Sequence, residues 1–236
     1  QDRFYSPTFV SDKWLNYTDK ILSIDPSGRG ADELAFCILG HLNSQIFLLD
    51  IAGVQGGYDE RNLEFIVNKA QEWKISKIIV EKNFGGGMFT ALLLPVLKRI
   101  YPYCVIEEVN AVKGKETRII DTLEPVLNQH KLIVNKKVIQ ADFKYSSIYP
   151  IEKRTIYNLF YQLTHITKDQ GSLSHDDRLD SLELGVSQLV QVMNLDTDEQ
   201  VKQREDEEIQ EMIEKYNIEI GLTPKKNQDY GTWLYL

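Results

Sequence analysis

Apolar positions along this chain follow two rhythms. Residues 21–25, 34–40, 45–51, 77–81, 105–109 and 132–134 are short apolar runs bounded by turn-forming residues, the pattern of buried strands. His41-Leu42-Asn43-Ser44 joins the second and third runs as a hairpin. Further on, the spacing changes to three and four. Leu63, Ile66, Val67, Ala70 and Trp73 follow Asp59, a candidate helix cap. Residues 89–100 suit a helix in which Pro95 bends the axis or marks the first turn. Residues 115–129 form another amphipathic helix, residues 137–168 read as mostly helical with a break near Pro150, and a core helix spans 176–193. An antiparallel start followed by alternating helices and strands predicts an α/β fold, a mixed sheet with helices on both faces.

The two ends behave differently. Residues 1–20 carry little periodicity and read as a lead-in or linker. Residues 194–236 read as an acidic C-terminal helix and tail, which leaves 21–193 as the main domain. In that tail, Val201, Ile209, Met212 and Ile213 are few apolar anchors for a segment that packs lightly or stays partly disordered. The opening Gln1-Asp2-Arg3-Phe4-Tyr5 has neither an initiator Met nor a secretory signal, which suggests an excised or processed chain. No apolar run approaches the ~18–20 residues that span a membrane. Cys37 and Cys104 lie in strand-like runs and are expected as buried free thiols in a reducing compartment. No Cys/His spacing suits zinc.

Charge modifies this picture. The net charge of −8 argues against a nucleic-acid binder until its distribution is read. Residues 194–219 hold ten acidic and three basic side chains, a net of −7, so everything else sums to −1. Residues 110–168 hold ten basic and five acidic side chains, a net of +5. A basic middle permits local phosphate binding. Within it Lys113, Lys115 and Arg118, at a loop entering a helix, are the best placed phosphate contacts. Gly85 and Gly86 offer a loop that a DNA backbone can approach closely, or simply a flexible turn.

The candidate chemistry lies in carboxylates. Asp25 ends the first predicted strand and Glu81 ends the fourth. If these strands are parallel neighbours, both acids lie at the carboxyl ends where open α/β sheets bind ligands. Ser174-His175-Asp176-Asp177-Arg178-Leu179-Asp180 adds three acids at a helix start, with Asp177 and Asp180 three apart and Asp176 and Asp180 four apart. The helix dipole offers only ~0.3–1 kcal/mol against such crowding. A hard divalent cation supplies the missing charge, Mg²⁺ or Mn²⁺ given oxygen-only ligands. Two such ions about 3.5–4 Å apart would clamp a phosphodiester, with Asp25 shared between them. Taken singly, Asp25 also suits a turn, Glu81 a strand exit, Asp176 a helix cap, and Asp180 a pairing with an exposed Arg178.

In Ser23-Ile24-Asp25-Pro26-Ser27-Gly28-Arg29-Gly30 with Asp32-Glu33, Val80-Glu81-Lys82-Asn83-Phe84-Gly85-Gly86-Gly87-Met88-Phe89, Asp121-Thr122-Leu123-Glu124-Pro125-Val126 and His175-Asp176-Asp177-Arg178-Leu179-Asp180, the chain resembles the C-terminal nuclease domain of tailed-phage large terminases, of the podophage type. The resemblance covers roughly residues 20–192. It implies an RNase H-like domain over 21–193 with a five-stranded type of sheet, and metal-dependent endonuclease activity on concatemeric double-stranded DNA during genome packaging. It also implies an acidic triad of Asp25, Glu81 and Asp177, with Asp176 and Asp180 as further metal ligands. Other implied features are two Mg²⁺ or Mn²⁺ ions, work in the host cytoplasm, and portal and small terminase subunits as partners. The full terminase carries an ATPase domain. No G-x-x-x-x-G-K-[ST] loop occurs here, so that domain is expected to be absent from this chain. The alternatives are a resolvase-type RNase H-like nuclease and a non-catalytic DNA-binding assembly module.

Overall fold

A computed structural model describes residues 6–10, 16–26, 33–82, 87–110 and 114–219. The chain divides into two compact units, residues 1–190 and 191–236. The first is built on strands β1 (Thr8–Val10), β2 (Asp19–Asp25), β3 (Leu34–Leu42), β4 (Gln45–Val54), β5 (Lys77–Glu81), β6 (Val105–Val109) and β7 (Leu132–Asn135). They form one sheet in the order β1-β7-β4-β3-β2-β5-β6. β2, β3 and β4 are antiparallel neighbours; every other pairing is parallel. Among the described residues the sheet has seven strands rather than the five-stranded type expected. β7 joins the β4 edge, and β1, inside the stretch read as a lead-in, pairs Thr8 with Ile133. Three residues are too few to display a period of two, so sequence pattern does not reveal β1.

The β3–β4 hairpin turns through Asn43 and Ser44 at φ 51° and 58°, the left-handed pair that a two-residue hairpin loop demands. Helices α1 (Glu60–Trp73), α2 (Met88–Ile100), α3 (Lys115–Asn128), α4 (Lys136–Ser146) and α5 (Leu159–His165) follow, with a 3₁₀ stretch at Ile151–Tyr157 after the expected break at Pro150. Asp59 occupies the cap position of α1, but its side chain makes no capping bond. Pro95 lies in the interior of α2.

Strand alternation sends successive side chains to opposite faces. Leu22, Ile24, Ile78 and Val80 join Leu63, Ile66, Val67, Phe89 and Leu93 in a core beneath α1 and α2. The intervening residues face the last helix, α6 (Asp177–Glu219). There Ser23 Oγ donates to Ser181 O at 2.6 Å. Gly185 lets α6 come close to the sheet: a Cβ there would meet Leu39 Cδ1 at 2.2 Å and Ser23 Oγ at 2.6 Å. The sheet thus carries helices on both faces. Cys37 and Cys104 are buried free thiols.

α6 is one helix of 43 residues where two were expected. Beyond Gly185 no Gly or Pro occurs before its end, so nothing in the backbone stops it. In the second unit Ile209, Met212, Ile213 and Tyr216 are exposed. No helix among the described residues is long and apolar enough to cross a membrane.

Candidate metal centre

β2 and β5 are parallel neighbours with Ile24 opposite Val80. The next residue of each strand is a carboxylate, Asp25 and Glu81. By alternation both share the face of Ser23, the one covered by α6. The head of α6 adds Asp180, whose N–H donates to Asp176 O at 2.8 Å and places Asp176 at the helix cap position. Leu179 N–H, in the same first turn, donates to Gln162 Oε1 at 3.0 Å. A buried amide thus satisfies one of the helix's orphan donors. Asp25, Glu81 and Asp180 each offer one oxygen, and the three oxygens lie within 4.8 Å of one another. Two strand ends and a helix start thereby converge on one point. An all-carboxylate set of this kind suits a hard divalent cation and offers no soft ligand.

α3 lies against this group as a matching stripe. Lys115, Arg118 and Thr122 are spaced at three and four along α3, and Asp176, Asp180 and Glu183 at four and three along α6, so each trio lies along one helical face. Lys115 Nζ is 2.9 Å from Asp176 Oδ1, 3.0 Å from Asp180 Oδ2 and 4.0 Å from Asp25 Oδ2. Arg118 bonds Glu81 Oε1 at 3.0 Å and Asp180 Oδ1. Its Nε lies 3.1 Å from Glu183 Oε2 without hydrogen-bond alignment. Thr122 Oγ1 donates to Glu183 Oε1 at 2.8 Å. The contacts climb both helices in the same direction.

The electrostatics are those of crowded anions. Burial, then the charge of Asp180, pushes the Asp25 carboxyl well above the ordinary range, with Asp177 and Glu81 adding to the effect and Lys115 opposing it. Burial also raises Glu183, against the pull of Arg118. Burial works against the charge of Lys115, but Asp180, Asp25 and Asp176 outweigh it and raise its pKa. Arg118 is raised in the same way, by Asp180 and Glu183.

Arg178, expected on the surface, is fully buried at 0% exposure. Its Nε and Nη2 donate to Glu33 Oε2 and Oε1, both at 2.8 Å. Nη1 donates to Asp142 Oδ1 at 2.7 Å, Asp142 O at 2.9 Å and Ser146 Oγ at 2.9 Å. Asp142 Oδ1 also accepts Leu159 N–H at 3.0 Å. These partners lie up to 145 residues away in sequence, beyond the reach of local pattern. Gly53 leaves room for the pair, since a Cβ there would sit 2.2 Å from Glu33 Oε2.

Of the predicted acids, Asp25, Glu81 and Asp180 are brought into mutual ligand range. Asp176 joins them through Lys115. The Asp177 carboxylate lies 3.5 Å from Glu33 N–H and 4.0 Å from His175 Nδ1, and its charge is felt at Asp25. Of the predicted DNA contacts, Lys115 and Arg118 are engaged with these carboxylates, whereas Gly85, Gly86 and Lys113 lie outside the described residues. Glu183 escaped the sequence reading, although its spacing from Asp180 and Asp176 was a usable signal.

Residues 24–132 match the family described as Terminase Bacteriophage T7, Ribonuclease H-like domain. The large terminase subunit of Enterobacteria phage T3 is 43% identical over 195 residues, 83% of this chain and 33% of that protein. The chain therefore spans about a third of the length of this curated relative. Among solved structures, the large terminase of a thermophilic bacteriophage is similar at a TM-score of 0.51 and 16% identity, over 78% of this chain and 43% of that one. The same terminase in complex with ADP gives a TM-score of 0.50 at 16% identity, over 78% and 42%. At that identity the likeness is one of fold. Over residues 24–132 and along the T3 relative, the chain is similar to the Ribonuclease H-like domain of phage large terminases.

Proposed function

We propose that this domain is a metal-dependent endonuclease that cuts concatemeric double-stranded DNA during viral genome packaging. The observation that carries this reading is the convergence of Asp25, Glu81 and Asp180 oxygens within 4.8 Å, at the carboxyl ends of two parallel strands. Asp25, at the end of the interior strand β2, would hold Mg²⁺ or Mn²⁺ ions together with Glu81 and Asp180, with Asp177 and Asp176 beside them. When bound, these ions lower the pKa of an attacking water and stabilise the leaving oxygen. The chain's own part is orientation. β2 and β5 fix two carboxylates in register, and Arg118 holds Glu81 and Asp180 at one distance from each other. No side-chain nucleophile is needed, and a centre acting on the backbone reads little sequence.

In the longer protein the DNA substrate would be delivered by an ATPase domain. The portal and small terminase subunits are proposed partners, and the host cytoplasm the proposed place of action. The test uses supercoiled plasmid with Mg²⁺ or Mn²⁺. The protein nicks or linearises it, and Asp25→Asn and Asp180→Asn, folded by circular dichroism, lose on the order of 10²–10³-fold in rate. Asp177→Asn sorts that residue: a loss as large makes it a ligand, and a smaller one makes it a brace for Glu33 and His175. Variants that cut as fast as the parent, or a parent that cuts in neither metal, sink the proposal.

A further inference from the structure

α3 brings two cations to the acidic centre, and they are held differently. Arg118 is enclosed by Glu81, Asp180 and Glu183, with only 14% of its side chain exposed. It cannot leave without stranding Glu183, which is buried behind it. Lys115 sits at the opening of the same group. Its ammonium contacts Asp176, Asp180 and Asp25, yet 37% of the side chain reaches solvent. Two of those three carboxylates, Asp25 and Asp180, belong to the trio whose oxygens converge. A lysine head is a compact, strongly hydrated charge on a flexible stem, so it can swing out into water once another cation takes its place beside the buried Asp180.

We propose that Lys115 is a tethered counter-cation of the acidic centre. In the metal-free protein its ammonium holds Asp25, Asp176 and Asp180 together. When a divalent cation enters, that ammonium withdraws towards solvent. The proposal rests on the reading of the centre as a metal site. Five carboxylates, Asp25, Glu81, Asp176, Asp180 and Glu183, face two cations here. Without Lys115 the repulsion among them would be larger and the metal-free fold weaker. With it, loading exchanges one cation for another, and the ammonium lowers metal affinity while protecting the empty site. A lysine that served only as a phosphate contact would leave metal affinity unchanged. One that only preorganised the ligands would raise it.

Three measurements on the folded domain decide this. Lys115→Met keeps the apolar stem and removes the charge. Its metal-free melting temperature falls, and calorimetric titration with Mn²⁺ shows binding tighter by about three- to tenfold, the effect of removing one repelling charge at short range. In the parent protein, amine acetylation read by mass spectrometry is faster at Lys115 with saturating Mn²⁺ than without it. Equal or weaker Mn²⁺ binding by folded Lys115→Met overturns the proposal, as does acetylation indifferent to Mn²⁺. If Lys115→Met fails to fold without metal, the acetylation rates of the parent decide alone. Asp25→Asn serves as the control for the site. If it binds Mn²⁺ as the parent does, or if the parent binds none, the metal centre itself is refuted and this proposal falls with it. Equal binding by parent and Lys115→Met refutes only the role of Lys115.

Discussion

Two ion-pair clusters meet the first turns of α6. In the Arg178 cluster one guanidinium reaches Glu33, Asp142 and Ser146, and all of its partners are buried. Burial raises the Asp142 carboxyl, and the Arg178 charge opposes that rise. In the Lys115 and Arg118 cluster, five carboxylates share two cations, the Asp25 carboxyl is pushed well up, and the opening reaches water through Lys115. One cluster is closed and its donors are filled. The other carries the larger excess of negative charge, is partly open and is electrostatically strained. A buried pair holds chain segments together, whereas excess negative charge kept at close range identifies a place for a cation.

The largest effect separates these two clusters by stability. Arg178→Met strands Glu33 and Asp142 in the interior, and loss of one partner of a buried pair costs about 3–5 kcal/mol. Arg118→Met costs less, about 1–2 kcal/mol, because Arg118 and its partner Glu81 are each 14% exposed, whereas Arg178 is fully buried. Chemical denaturation of both variants with and without Mn²⁺ measures the contrast. Mn²⁺ restores part of the stability of Arg118→Met, because a cation entering that cluster takes over charge that the arginine carried. It restores none in Arg178→Met. Equal rescue of both would erase the distinction.

Much of the open cluster was legible in the sequence, and almost none of the closed one was. Asp25 and Glu81 each end an apolar run, and the acids near position 180 open a periodic helix, so local pattern places all three at element ends. β1 was hidden by its three-residue length. Glu183 was hidden because it lies inside an apolar helix, although 176, 180 and 183 share a face. Lys115 and Arg118 were visible as charges at the start of α3, but a charge does not name its partner. That partner became evident only when α3 and α6 were set side by side. Local sequence places Arg178 on the surface, as a partner for Asp180. Its actual partners, Glu33 and Asp142, are brought to it by the packing of β3, α4 and α6.

A smaller effect tests whether the strain at Asp25 is real. Its raised pKa means that the folded protein holds a proton there that the unfolded chain releases. The stability linked to that proton is present below the unfolded pKa and is lost as pH rises through the folded one. Asn carries no such charge. Metal-free Asp25→Asn is therefore more stable than the parent at neutral pH, by on the order of 1 kcal/mol, the usual size for relieving a functional site. The gain shrinks as pH falls towards the ordinary carboxylate range, where both forms are neutral. Thermal melts across pH 4–8 check the sign, and a parent more stable than Asp25→Asn throughout would remove the strain from the argument. Saturating Mn²⁺ inverts the order, since ligand binding stabilises only the chain that retains the site.

The smallest effect concerns how α3 presents Lys115. Glu116, beside it, accepts Gly171 N–H at 2.7 Å, and this bond, more than any other influence, holds the Glu116 carboxyl below its ordinary pKa. It fastens the first turn of α3 to the loop before α6. An acid in a first helical turn also suits the dipole, an effect worth about 0.3–1 kcal/mol at most for exposed groups. Glu116→Gln keeps a hydrogen-bond acceptor and loses the charge, so stability falls by only a few tenths of a kcal/mol. The more telling measurement is Mn²⁺ affinity. If Lys115 owes its place among the carboxylates to this anchored turn, Glu116→Gln moves affinity in the same direction as Lys115→Met but by a smaller factor. An affinity shift in the opposite direction would mean that Glu116 acts by its own charge on the centre rather than through the position of Lys115.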